Sequence, residues 1–448
     1  MSILAAYIFP HPPIVIPEIG RGEEKDISST TEGYMECARR IAAEKPDTIL
    51  IISPHATIYS DYFHISPGKT ASGDFSAFRA GDVSFDVDYD EELISAISGT
   101  AEKAGIPAGT LGERDPSIDH GTLIPIYFIS KEYKDFKVVR MGFSGLPAIT
   151  QYRMGQCIAD AANSLGRKLV VIASGDLSHK LKDDGPYGYN EQGPVFDKMV
   201  TGTMASGDFS GFLDMPASVS EPAAECGLRS FQIMSGILDK LDVEPELLSY
   251  EGPFGVGYGV ASFKVTGHDP SRNFGDQYIT RDEKKRKDIM SDESDIVKLA
   301  RYTVENYVRT GAVPDQPGDI PDGLRDQKAG AFVSLHKFDA LRGCIGTFLP
   351  TTEDLVSEIM QNAVSACSED PRFAAVREDE LDDLVYSVDI LSAPEHINSK
   401  DELDPKVYGV IVTRGSNRGL LLPDLEGVDT VDAQISIAKA KAGIGEDT

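Results

Sequence analysis

Four of the eight histidines stand where apolar runs give way to turns: His11 after "ILAAYIFP", His55 after "TILIISP", His120 within "IDHGTLIPIYF", and His179 at the close of "VVIASGDLSH". A neutral imidazole is a good ligand for a divalent transition metal, and a ring that titrates near neutrality can take a proton from a substrate and return it. Two imidazoles and one carboxylate form a facial set that leaves half of a metal's coordination sphere open. His11 and His55 are read as the two imidazoles. Pro10 and Pro12 flank His11 and restrict the backbone, which holds its ring in a narrow range of positions. The carboxylate must come from far along the chain, and Glu225 in "EPAAECGLRSFQIMSGIL" is the candidate, with Glu221 as its competitor. The plainer role for Glu225 is an acid at a helix start, favoured there by the macrodipole. His120 and His179 remain for substrate contact and proton transfer. Asp176 precedes His179 by one helical turn's spacing and either fixes its tautomer or caps the next segment. Cys344, in "RGCIG" near Arg342, is a further candidate as a nucleophile or acceptor, against the more common role of a buried structural thiol.

These side chains need a scaffold. "DTILIISPHAT" (47–57), "FKVVRMGFSG" (136–145) and "KLVVIASGDLSH" (168–179) are continuous apolar runs, the pattern of strands buried on both faces. The expectation is an α/β domain whose central sheet is sandwiched by helices, with the histidines at strand ends, where ligands gather in open α/β sheets. The glycines of "GPFGVGYGVASFKV" (252–265) precede a strand instead of leading from one into a helix, so they read as turn or bulge glycines and not as a dinucleotide loop. Composition shifts over 268–291, a polar stretch taken as a linker between a domain at 1–267 and one at 292–448. The second begins with an amphipathic helix in which Ile296, Leu299, Ala300, Val304, Tyr307 and Val308 share a face and Gly311 is the stop.

Composition excludes several classes of function. With 72 acidic against 43 basic residues the formal net charge is −29, which repels phosphate backbones and anionic membranes, so neither nucleic acid nor membrane is expected as a partner. Five cysteines without CxxC spacing argue against a disulfide scaffold and a structural zinc site. No run approaches the roughly 18 apolar residues of a membrane helix, and no secretory signal pattern opens the chain. The expectation is a cytoplasmic protein, forming a homo-oligomer.

Taken in order, "FPHPP", "SPHATIYSDYF", "DHGTLIPIYF", "ASGDLSHKL" and "AAECGLRSF" resemble the catalytic, LigB-type subunit of class III extradiol ring-cleavage dioxygenases, a superfamily that includes the MEMO-like proteins. The resemblance spans about 1–267 and implies an Fe(II) centre, with Zn or another divalent metal as the alternative. It also implies His11, His55 and Glu225 as ligands, His179 as acid/base, His120 on the substrate side, and a catechol-like aromatic substrate. "LRGCIGTFLP" (341–350), "EDPRFAAV" (369–376), "EHI" (395–397), "YGVIVTRGSNRGLLLP" (408–423) and "VDTVDAQISIAKAKAGI" (428–444) resemble the α+β AMMECR family. The sequence closes on "GIGEDT", where that family usually adds a strand. This domain pair resembles the fused protein of the AmmeMemoRadiSam system, which implies MEMO-like and radical-SAM companion proteins. The alternative function is therefore a metal-binding component of a modification pathway without ring cleavage.

Overall fold

The apolar runs that end in histidine become strands of a single sheet. The computed structural model describes residues 2–445 apart from 319, 339, 416 and 426. Within the first domain the chain forms β1 (Ile3–Phe9), α1 (Ser28–Glu44), β2 (Thr48–Ile52), a hairpin of β3 (Thr70–Phe75) and β4 (Ala80–Asp88), α2 (Glu91–Lys103) and α3 (His120–Ile129). It continues through β5 (Lys137–Met141), α4 (Ala148–Leu165), β6 (Leu169–Ser174), α5 (Gln192–Ser206), α6 (Leu228–Ile237), β7 (Leu241–Glu251) and β8 (Tyr258–His268).

The sheet runs β5-β2-β6-β1-β8-β7. β5, β2, β6 and β1 are mutually parallel, and β8 and β7 add antiparallel to that edge. Every residue of β2 and β6 is buried, as expected of β-branched and leucine runs covered on both faces. α1 packs on α3 and α4 packs on α6, each pair lying against the sheet. The register sets Phe9 beside Ser174 and Ile52 beside Ala173, so the carboxyl ends of β1, β6 and β2 finish level. β6 lies between the other two. The turns carrying His11 and His55 thus emerge on either side of Ser174.

The chain divides into two compact units at Lys284/Lys285. The 268–291 stretch, read from composition as a linker, is helical from Phe274 to Ser291 (α7). Phe274, Tyr278, Asp282 and Arg286 are all buried, one every four residues, so the stripe is helical but changes from aromatic to charged halfway along. Counting apolar residues alone hides such a helix.

The second unit contains α8 (Asp295–Thr310), β9 (Gly330–Lys337), β10 (Ala340–Gly346), α9 (Leu355–Ser368), β11 (Leu384–Leu391), β12 (Val410–Arg414), β13 (Asn417–Leu421) and α10 (Val431–Lys441). α8 ends as its sequence indicates, with Gly311 in the left-handed conformation at φ 72°. A three-stranded sheet, β10-β9-β11, packs its Ala331, Val333 and Leu335 side on α8 and α9, while the β12–β13 hairpin with α10 closes a smaller core around Val410, Leu421 and Ala438. Among the described residues no helix is long and apolar enough to cross a membrane.

Candidate metal centre

At the carboxyl edge of the first sheet, ligand atoms of His11, His55 and His120 lie within 4.8 Å of one another. The Nε2 atoms of His11 and His55 are 3.1 Å apart, and the rings of His55 and His120 are centred 4.0 Å apart. His11 is buried, His120 half-buried and His55 exposed, so the cluster is sealed beneath and open on one side.

The surrounding chain fixes each ring. The His11 backbone N–H donates to Asp176 Oδ1 (2.7 Å), and its Nδ1 lies 3.0 Å from Ser174 Oγ. The His55 N–H donates to Ser53 Oγ (3.1 Å), and that hydroxyl donates to Asp119 Oδ1 (2.6 Å). Asp119 is also the N-cap of α3, accepting the Thr122 N–H at 3.0 Å, so one carboxylate ties the His55 turn to the helix that begins with His120. Gly121 makes room for this junction: a Cβ there would sit 2.5 Å from Ser53 Oγ and 3.4 Å from His55 Cδ2. Its φ is not positive, so Gly121→Ala is a steric substitution without backbone strain. It is expected to lower Zn(II) affinity about 10–100-fold, the usual effect of disturbing groups that orient ligands. Wild-type affinity in a competition titration, with unchanged circular dichroism, would refute that role.

Burial, followed by repulsion from His55, lowers the pKa of His11 to about 3, and His120 falls to about 3 for the same reasons with His11 adding to them. Both rings are thus neutral, the form that binds metals. A nitrogen pair 3.1 Å apart matches two donors sharing one ion with bonds of roughly 2.1 Å. The residues fit a divalent cation.

The structure gathers a different group of side chains from the one read in the sequence as ligands. His120 belongs to the three-imidazole group, and Glu225 does not. The Glu225 carboxylate accepts the Leu228 N–H at 2.7 Å at the start of α6, and burial raises its pKa to about 7. A desolvated carboxylate takes the nearest free donors, and a helix start supplies them. His179 is half-buried, stacks on Tyr187 with ring centres 5.0 Å apart, and has its Nε2 4.0 Å from Asp176 Oδ2. Burial lowers its pKa, opposed by Asp176.

Two residues escaped the sequence reading in whole or in part. Asp176 is no helix cap: its Oδ2 stands 4.0 Å from both His11 Nε2 and His179 Nε2, and burial raises its pKa to about 6. Cys226 Sγ lies 3.6 Å from His11 Nε2 and accepts the Asp176 N–H at 3.3 Å. The glycines beside them were the available signal. A Cβ on Gly175 would strike Gly227, and one on Gly227 would sit 3.1 Å from Asp176 O, so the two turns touch only because both are bare.

In the second unit Cys344 is half-buried on β10. Ser334 Oγ lies 3.2 Å from its Sγ, and its N–H donates to Asp370 Oδ2 at 2.9 Å. Arg342 does not serve the thiol, because its guanidinium engages Glu380 at 2.9 Å and the carbonyls of Ala374 and Ala375. The glycines of the motif are steric: a Cβ at Gly343 would run into the Ala366 carbonyl of α9, and one at Gly346 into the Phe332 ring.

Comparison with known proteins agrees with this architecture. Residues 5–261 match the family described as the catalytic LigB subunit of aromatic ring-opening dioxygenase, and residues 297–448 match AMMECR1. A protein of Clostridium acetobutylicum is 43% identical over 452 residues, covering 99% of this chain and 96% of its own. A Thermotoga maritima protein is 57% identical over 158 residues, 35% of this chain and 91% of its own. An uncharacterised Pyrococcus horikoshii protein of known structure aligns over 34% of this chain and 80% of its own, at 34% identity and a TM-score of 0.32. The chain belongs to the LigB family, with an AMMECR1 domain joined to its LigB domain.

Proposed function

We propose that the first domain is a non-haem Fe(II)-dependent dioxygenase of the extradiol type, acting on a catechol-like aromatic. The observation that supports this reading is the meeting of His11, His55 and His120 at the carboxyl edge of a LigB-family sheet. An iron ion held there would offer open positions to a vicinal diol and to O₂. Both oxygen atoms then end in the ring-opened product, so no external reductant is needed. His179 Nε2 takes the proton of a substrate hydroxyl and later returns it, while Asp176 Oδ2, 4.0 Å away, favours the imidazolium formed in between. Phe78, at the tip of the β3–β4 hairpin, meets the His120 ring edge-on at 5.3 Å, and Tyr187 stacks on His179, so aromatic surfaces border two of the histidines.

A second reading is favoured by Cys226. A thiol 3.6 Å from His11 suits softer ions such as Zn(II) or Cu(I), and the protein would then bind metal within a multi-protein pathway, meeting MEMO-like and radical-SAM companions. Protein purified without oxygen, loaded with Fe(II) and offered a panel of catechols in an oxygen electrode separates the two. Oxygen uptake with ring opening is expected. His179→Ala should keep its iron and lose about 10²–10⁴-fold in kcat. Stoichiometric iron with no oxygen uptake for any diol would overturn the first reading in favour of the second.

A further inference from the structure

We propose that Ser174 is a positioning residue that holds His11 in its Nδ1-protonated tautomer, so that the Nε2 lone pair faces the other two imidazoles. The proposal rests on the metal-centre reading and deepens it.

The argument is a count of protons. Ser174 Oγ is fully buried and carries one hydrogen. It has two polar neighbours, Gly121 O at 2.7 Å and His11 Nδ1 at 3.0 Å. A carbonyl oxygen only accepts, so the hydroxyl hydrogen goes to Gly121 O. The contact with His11 is then a hydrogen bond only if Nδ1 is the donor. A neutral imidazole has one N–H, so with Nδ1 as the donor Nε2 is left unprotonated. The alternative tautomer would set two lone pairs against each other, Nδ1 against Oγ, in a buried pocket.

The free carbonyl has its own origin in the sequence. In a regular helix Gly121 O would accept the N–H of residue 125, but that residue is Pro125, inside α3, and has none to give. The proline at helical spacing after Gly121 therefore leaves an acceptor unserved by the ladder, and Ser174 of β6 fills it. A helix defect next to His120 is converted, through one hydroxyl, into the protonation state of His11. Two imidazoles from distant parts of the chain, each already against the His55 ring, are coupled a second time through this hydroxyl.

The test is nitrogen NMR of the full-length, metal-free protein labelled with [¹⁵N]histidine, with His11 assigned by the signals lost in His11→Gln. We expect a pyrrole-type Nδ1 and a pyridine-type Nε2 for His11 in the wild type. Ser174→Ala should move both signals towards a mixture of tautomers, and Ser174→Thr, which keeps the hydroxyl, should restore the wild-type pattern. Zn(II) affinity, measured by competition with a chromophoric chelator, should fall about 10–100-fold in Ser174→Ala and recover in Ser174→Thr. A pyridine-type Nδ1 in the wild type overturns the proposal, whether or not the variants fold. A correct tautomer in a protein that takes up no Zn(II) leaves the proposal standing and sinks the metal centre instead.

Discussion

Alanine at His11, His55 or His120 is expected to lower affinity for Fe(II) or Zn(II) by at least about 100-fold, more than the loss of an orienting group costs, whereas Glu225→Gln should stay within about tenfold of the wild type. The contrast follows from where the donor atoms are. The three imidazoles converge within 4.8 Å, and removing any one leaves two ligands, too few to hold a labile divalent ion against water. The Glu225 carboxylate faces the Leu228 N–H, and a glutamine carbonyl accepts that bond equally well. Metal content of anaerobically purified variants and a competition titration provide the measurement. Should Glu225→Gln lose metal as completely as His11→Ala, the two-imidazole, one-carboxylate set read from the sequence is restored and His120 returns to the substrate side.

The second large effect concerns acid. In the metal-free protein His11 resists protonation until about pH 3, while in the unfolded chain it takes a proton near 6.5. Between those values the unfolded state binds more protons, so the stability contributed by this residue is present above about pH 6.5 and is lost as pH falls towards 3. From pH 7 to pH 5 the loss is about 2 kcal/mol. Asp176 and Asp197 act in the opposite sense: burial raises both to about 6, so their contributions are lost as pH rises. The whole-protein curve therefore mixes both signs, and His11 is isolated by comparison. Relative to wild type, His11→Gln should gain about 2 kcal/mol on going from pH 7 to pH 5 in urea titrations. Curves that stay parallel over that range would show that the ring takes up its proton as readily in the folded protein as in the unfolded chain.

Much of this centre could be read from residue types. Continuous Ile, Leu and Val runs ending in "SPHAT" and "SGDLSH" require buried strands with polar turns, and parallel pairing then brings those turns to one edge. What the sequence withheld was strand order. Nothing in "TILII" or "LVVIAS" says that β6 inserts between β1 and β2, and that insertion decides that His11 meets His55 and that Ser174 reaches His11. Glu225 reads as a ligand from its place at a helix start between small residues and from the family resemblance. In the structure its carboxylate accepts the Leu228 N–H, while the Cys226 thiol beside it lies 3.6 Å from His11 Nε2. The α7 helix was missed for a related reason, since its buried stripe passes from Phe274 and Tyr278 to Asp282 and Arg286.

The strand between the two histidine strands also governs when the centre can come into being. His11, His55 and His120 are all synthesised within the first 120 residues, yet the strand that spaces β1 from β2 ends at Ser174. A nascent chain on the ribosome thus exposes three imidazoles well before it can arrange them, and no ion can be captured in the final geometry until some fifty further residues have emerged. Assembly of the centre therefore waits for β6, although all three histidines precede it in the chain.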